Sequence, residues 1–366
     1  MIDAAPTADL ETGVAPHQSA APGPRPRPYA PSWFNRLVDR LERLPVPYLV
    51  VCLAVAAIGV AASNAQNWFG GTVAFPNLTL EESYWGGLAG IPLALIPYLD
   101  RVARSSLATF LPALEGADVD LDAVVYELTV IPARPALAAT ALAVAATVSG
   151  YISNPVETGI AGLPPTVVVI EAIGQSFVLA QMALLVYHTF RQLRAVSRIH
   201  ALAPRLSLFR PGPLYAFSRL TVRTSIAFVA IVSATVLVSF GNLSSYPAVI
   251  TVPFLVGGIS AAAAAFVVPL LGIHRRISAE KVDLEWQVGR RVEAAMIEIH
   301  RAADERDVSR ADGLNKLLGS LIAEREMVAR LPTWPWQPGT VGAFLTAILL
   351  PIGLFLVTRV LERLVQ

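Results

Sequence analysis

Glu171 is the one acidic side chain inside an apolar stretch long enough to cross a membrane, and a carboxylate in that position is costly to keep. Gln175 lies one helical turn further on the same face, and Gln181 lies deeper in the same stretch. A proton- or cation-coupled carrier would use such a set. The competing reading is structural or interfacial, because Glu171 follows Pro165 closely enough to stay near the membrane surface and no basic residue sits at a similar depth.

Asp118, Asp120 and Asp122 match the first three ligand positions of a calcium loop, but the sixth and twelfth positions hold Ala123 and Thr129 instead of Gly and Glu. One of Asp120 and Asp122 is therefore expected to cap a short amphipathic helix through Leu128. His188 and His274 both fall at ends of apolar stretches, where a close pair could ligate haem or a metal, and where single histidines are also favoured by a helix C-terminus. No H-E-x-x-H, G-x-S-x-G, Walker A or G-x-G-x-x-G pattern occurs, so hydrolase and nucleotide-binding readings have no anchor. No catalytic residue, metal or cofactor is implied.

A different kind of site lies between His274 and Leu331. Leu284, Val288, Val292, Ala295, Ile299 and Ala302 recur at steps of three and four, which makes one apolar stripe on a helix. Residues Asp304 to Gly313 lack the stripe and read as a turn, after which Leu314, Leu317, Leu318, Leu321, Ile322 and Val328 form a second one. The expected structure is a cytoplasmic helical hairpin. It is either a spacer continuing the preceding span or a docking platform for a cytoplasmic protein through Leu284, Val288, Val292, Ile299, Leu317 and Leu321.

The elements that must position these residues follow from composition. Of 366 residues, 54% are hydrophobic and only 15% charged, with a mean hydropathy of +0.56, which excludes an ordinary soluble domain. A net charge of +1 gives no basic face for nucleic acid, and the single Cys52 excludes an intramolecular disulfide and multi-cysteine metal sites. A spanning helix needs about 20 apolar residues. Six stretches approach or reach that length: Pro47 to Ala62, Pro135 to Ile152, Pro165 to Tyr187, Thr224 to Phe240, Ala248 to Ile273 and Thr340 to Val357. A shorter one, Tyr84 to Leu99, contains Gly86, Gly87, Gly90, Pro92 and Pro97.

Basic residues decide the count. No Lys or Arg occurs between Arg43 and Arg101, Arg134 and Arg191, Arg223 and Arg275, or Arg330 and Arg359. The first three gaps each fit an out-and-back hairpin whose basic ends stay inside, which makes Tyr84 to Leu99 the second of seven spans. The fold class is all-α: a polytopic bundle of about seven spans in the cell membrane, N-terminus cytoplasmic, with the hairpin as insert. Gly241 to Ser245 and its neighbour Tyr246 would lie outside. A re-entrant final segment broken at Pro351 is the alternative for the end. Small residues at three- and four-residue spacing, such as Gly86 and Gly90, would pack helices within one chain or form a homo-oligomer face. The sequons at Asn77 and Asn242 carry little weight in a chain with 26 Arg and 2 Lys, a composition of GC-rich prokaryotes and hence of a bacterial inner membrane.

The chain divides accordingly into a disordered tail (1–32), a six-span bundle (33–273), the hairpin (274–331) and a final span with its tail (332–366). In the last part Pro332, Pro335 and Pro338 stop the hairpin, and Trp334 and Trp336 are placed to anchor at the interface. The run LPTWPWQPGT followed by an apolar segment and RVLERL resembles the endings of uncharacterised multi-pass bacterial membrane proteins, a resemblance over about 36 residues that implies membrane insertion and no particular activity. Function is expected to lie in interaction, as a membrane-embedded scaffold or signalling accessory, with a carrier or channel using Glu171 as the alternative.

Overall fold

The structure, a computed structural model, describes residues 27–156, 158, 160–204, 208–209, 211–238, 248–336 and 339–365. The Gly241 to Ser245 loop with Asn242 and Tyr246, Pro338, and the tail before residue 27 lie outside the described residues. Twelve helices are named in chain order: α1 (Trp33–Leu41), α2 (Tyr48–Phe69), α3 (Leu80–Gly87), α4 (Ile91–Phe110), α5 (Leu121–Thr129), α6 (Ala133–Ser153), α7 (Pro165–Leu202), α8 (Pro211–Leu214), α9 (Ser218–Val238), α10 (Ala248–Asp304), α11 (Val308–Ala329) and α12 (Thr340–Val365). Five segments are long and apolar enough to cross a membrane: α2, α6, α7, α9 with the short α8, and α10. A shorter apolar stretch, Val341–Val357, lies in α12.

The segment Tyr84 to Leu99 is not one helix. It breaks at Leu88–Gly90 between α3 and α4, where glycines let the chain press against α2: a Cβ on Gly86 would stand 2.3 Å from the Gly59 carbonyl oxygen, and one on Gly90 2.5 Å from that of Cys52. Within α4, Pro97 lacks the N–H that would bond the Leu93 carbonyl. The Tyr48 hydroxyl donates to that oxygen at 2.7 Å, and the Gln181 amide donates to the Ala89 carbonyl in the break at 3.2 Å. Irregular backbone is thus covered by side chains of α2 and α7, as a dry environment requires.

Two apolar clusters hold the bundle. One joins Leu93, Ile96, Leu184 and Leu185 to Phe34 and Val38 of α1. The other gathers α4, α5, α7, α9 and α10 around Phe110, Phe217, Val196 and Ile273. Arg276 of α10 closes the α7 C-terminus by donating to the carbonyls of His200 and Ala203 at 2.5 and 2.6 Å.

α10 is continuous over 57 residues. Past Ile273 it pairs with α11, as the two stripes predict, but the turn is shorter than Asp304 to Gly313. Arg306 takes a positive φ of 57°, and Asp307 caps α11 by accepting from the Arg310 N–H at 3.0 Å, so the helix restarts at Val308. Lys281 fastens the far end of α11 by donating to the carbonyls of Ala329 and Leu331. Trp334 and Trp336 are both half-buried. They belong to a stack of five rings on α10 that runs Phe344, Phe266, Trp336, Trp334, His274, with the last pair 3.9 Å apart at 10°.

Candidate functional site

A hydrogen-bonded group of buried polar side chains lies where α4, α5 and α7 meet. Asp100 follows Pro97 by one turn, and its Oδ1 sits 2.7 Å from His188 Nε2. Gln192, four residues on from His188 and therefore on the same face of α7, donates to Asp100 Oδ1 at 3.1 Å and to the Leu128 carbonyl at 2.9 Å. Asp100, His188 and Gln192 are all buried. His188 Nδ1 and Gln192 Oε1 have no protein partner among the described residues.

A strap closes this group from one side. Residues 27–32, counted with the tail in the sequence reading, are docked here: the Arg191 guanidinium donates to the Val130 carbonyl at 2.6 Å and to the Tyr29 hydroxyl, and lies 4.8 Å over the Tyr29 ring. Tyr126 returns a bond from its hydroxyl to the Tyr29 carbonyl at 2.7 Å. Asn35 of α1 accepts from the Ile131 N–H at 2.9 Å. Burial pushes the Tyr29 phenol above its ordinary pKa, while the neighbouring Arg191 charge pulls the other way. Beside Asp100 a cavity of about 470 Å³ opens between α1, α4 and α5, lined by Arg27, Arg101 and Arg104 together with Asp39, Glu42 and Asp122. Its mixed charge suits water or a small zwitterion rather than a simple anion.

The polar residues read from the sequence occupy different places. Glu171 is buried, Gln175 is half-buried, and Gln181 is buried against the α3–α4 break. Ten residues of helix separate Glu171 from Gln181, about 15 Å along the axis, so the three do not converge on one point. Asp120 caps α5 by accepting from the Ala123 N–H at 3.1 Å, as expected. His188 and His274 are not partners, since one faces Asp100 and the other stacks on Trp334. No cluster of three metal-ligating side chains occurs among the described residues.

On the hairpin, Val288 (1% exposed) and Leu321 are buried in the α10–α11 seam, Leu284, Val292 and Ile299 are half-buried, and Leu317 is exposed. Most of that stripe is consumed by the hairpin itself. A second apolar set faces away: Val282, Trp286 and Ile297 are 63%, 59% and 55% exposed. At 100° per residue these three fall about 150° around α10 from the seam. Arg290 lies over Trp286 at 3.8 Å.

Sequence reasoning passes over the Asp100 group. Asp100 stands beside Arg101 and reads as one more surface charge, while Gln192 lies past the end of the apolar run. The available signal is Pro97, which removes a helix bond one turn before an acid. Comparison with protein-family models, with curated proteins and with solved structures finds no match to this chain.

Proposed function

We propose that this chain is a seven-segment protein of the bacterial cell membrane, with its N-terminus and the α10–α11 hairpin in the cytoplasm, and that it works as a scaffold or signalling accessory. The distribution of arginine supports the orientation, because basic residues gather at the end that carries α1, α5 and the hairpin. The observation that carries the function is the outward stripe of Val282, Trp286 and Ile297. A hairpin needs one apolar face to fold, and this one also exposes three large apolar side chains on its outer side, among the charged Arg290 and Glu293. The occupant is a cytoplasmic protein that offers an apolar helix face. A photo-crosslinker at position 286 in intact cells should join the chain to another polypeptide, whereas one at position 316, in the exposed Asp312–Lys316 pair of α11, should not. Crosslinks only to lipid, or equal yields at both positions, would remove the reading.

A second reading, a secondary carrier, is supported by Pro97, which interrupts the α4 hydrogen-bond ladder one turn before the buried Asp100. Interrupted helices are the usual place for solute and ion sites. Flux of protons or small zwitterions in proteoliposomes that disappears in Asp100→Asn, with folding retained, would favour it. No flux from either protein would leave Asp100 and His188 as a structural joint.

A further inference from the structure

A groove of about 880 Å³ runs along α4 between α2 and α9, outside the Asp100 group. Its walls are aliphatic because Ala94, Ala227, Ala230 and Ala234 are too short to fill it. Two of the three tyrosines that line it have engaged hydroxyls: Tyr48 donates to the Leu93 carbonyl, and Tyr84 to the Ile231 carbonyl, with Thr235 Oγ1 2.7 Å away. What remains along the walls is surface for hydrocarbon. Leu49, which lines the groove, and its neighbour on the same helix Leu53 are each more than 60% exposed, so the groove opens sideways from the bundle.

One end is different. Arg101 lines both this groove and the charged cavity beside Asp100; its Nε donates to the Pro97 carbonyl at 3.3 Å, and among the described residues no hydrogen bond engages its terminal nitrogens. Arg223 lies 5.6 Å over the ring of Tyr98, the groove residue beside Arg101. Among the described residues no carboxylate forms an ion pair with either guanidinium. From Arg223 to Ala234 the wall is about 16 Å long, the scale of an acyl chain lying along a helix.

From this geometry we infer that the groove holds one chain of an anionic phospholipid, with the phosphate bound between Arg101 and Arg223. Arg101 in the lining and Arg223 over the lining residue Tyr98 select charge, and the slot selects a chain. This requires the bundle to lie in a membrane and is independent of what docks on the hairpin.

The test uses the full-length protein in nanodiscs of equal phosphatidylcholine and phosphatidylglycerol, released into neutral detergent and weighed by native mass spectrometry. Wild type should retain phosphatidylglycerol over phosphatidylcholine by about tenfold or more. The double variant Arg101→Ala/Arg223→Ala should lose that preference, and Arg101→Lys/Arg223→Lys should keep most of it. Ala230→Trp, which fills the slot from an exposed position, should lose both lipids while its melting temperature stays within a few degrees of wild type. Equal retention of the two lipids by wild type would overturn the inference. So would unchanged selectivity in the double alanine variant, or a second copy of the chain in place of lipid in the wild-type mass.

Discussion

Replacing Gly59 with alanine would place a methyl carbon 2.1 Å from the carbonyl oxygen of Gly86 and 3.2 Å from the Ala89 methyl. The first distance is about 1.3 Å inside the 3.4 Å at which ordinary contact begins, and the opposing atom is backbone, which has no rotamer to escape to. α2 and α3 must therefore separate. The separation also pulls on the Tyr48–Leu93 bond and on the Gln181–Ala89 bond that cover the α3–α4 break. Overpacking of this kind costs about 1–3 kcal/mol, and the loss of one buried and one part-buried bond places Gly59→Ala at about 3 kcal/mol or more. Gly150→Ala is the control, since a Cβ there meets nothing within 4 Å and the position is helical, so a gain of about 0.5 kcal/mol is expected. Unfolding by sodium dodecyl sulfate in mixed micelles, followed by tryptophan fluorescence, measures both. A Gly59→Ala protein as stable as wild type would refute the close approach of α2 to α3, and with it the account of why the break is tolerated.

Asp100→Ala strands His188 and Gln192 without their shared acceptor and should cost about 3–5 kcal/mol in the same assay, whereas His188→Asn should cost less. Burial raises the Tyr29 pKa, so the docked strap favours the neutral phenol; protection of the strap from limited proteolysis should hold below the ordinary tyrosine pKa of about 10 and fade as the pH rises beyond it. Tyr29→Phe should flatten that alkaline loss, and an unchanged alkaline profile would contradict the assignment. Val288→Asp buries a charge in the α10–α11 seam and should release hydrogen-exchange protection across 282–302 and 308–329, while Trp286→Ala should leave exchange unchanged and abolish crosslinking at position 297.

Apolar length and helical periodicity are properties of the chain taken alone, which is why α2, α6, α7, α9 and the seam of α10 and α11 can be read from residue order. The capping role of Asp120 is equally local, needing only the three residues after it. The Asp100–His188 contact is of another kind, since the partners are 88 residues apart and meet only because α4 and α7 pack in one register. Trp334 and Trp336 show the same limit, since nothing in their own stretch of sequence indicates that they stack on Phe266 and His274 of α10. Tyr29 sits in a proline-rich run with no periodicity, and its docking depends on an Arg191 that belongs to a helix 162 residues away in sequence. Single-chain patterns therefore reveal the helices and miss the joints between them.

The uninterrupted backbone of α10 makes it a lever. Its base is held by the Ser225 hydroxyl, which donates to the Ala262 carbonyl at 2.9 Å, and by Val232, pressed close against Gly258. From Ile273 to Asp304 the rod extends about 46 Å, with no proline hinge in that length. A tilt of about 5° at Ile273 would carry the hairpin tip through about 4 Å, as far as one side chain reaches. Small rearrangements around α9 are thereby magnified at the face that bears Trp286 and Ile297.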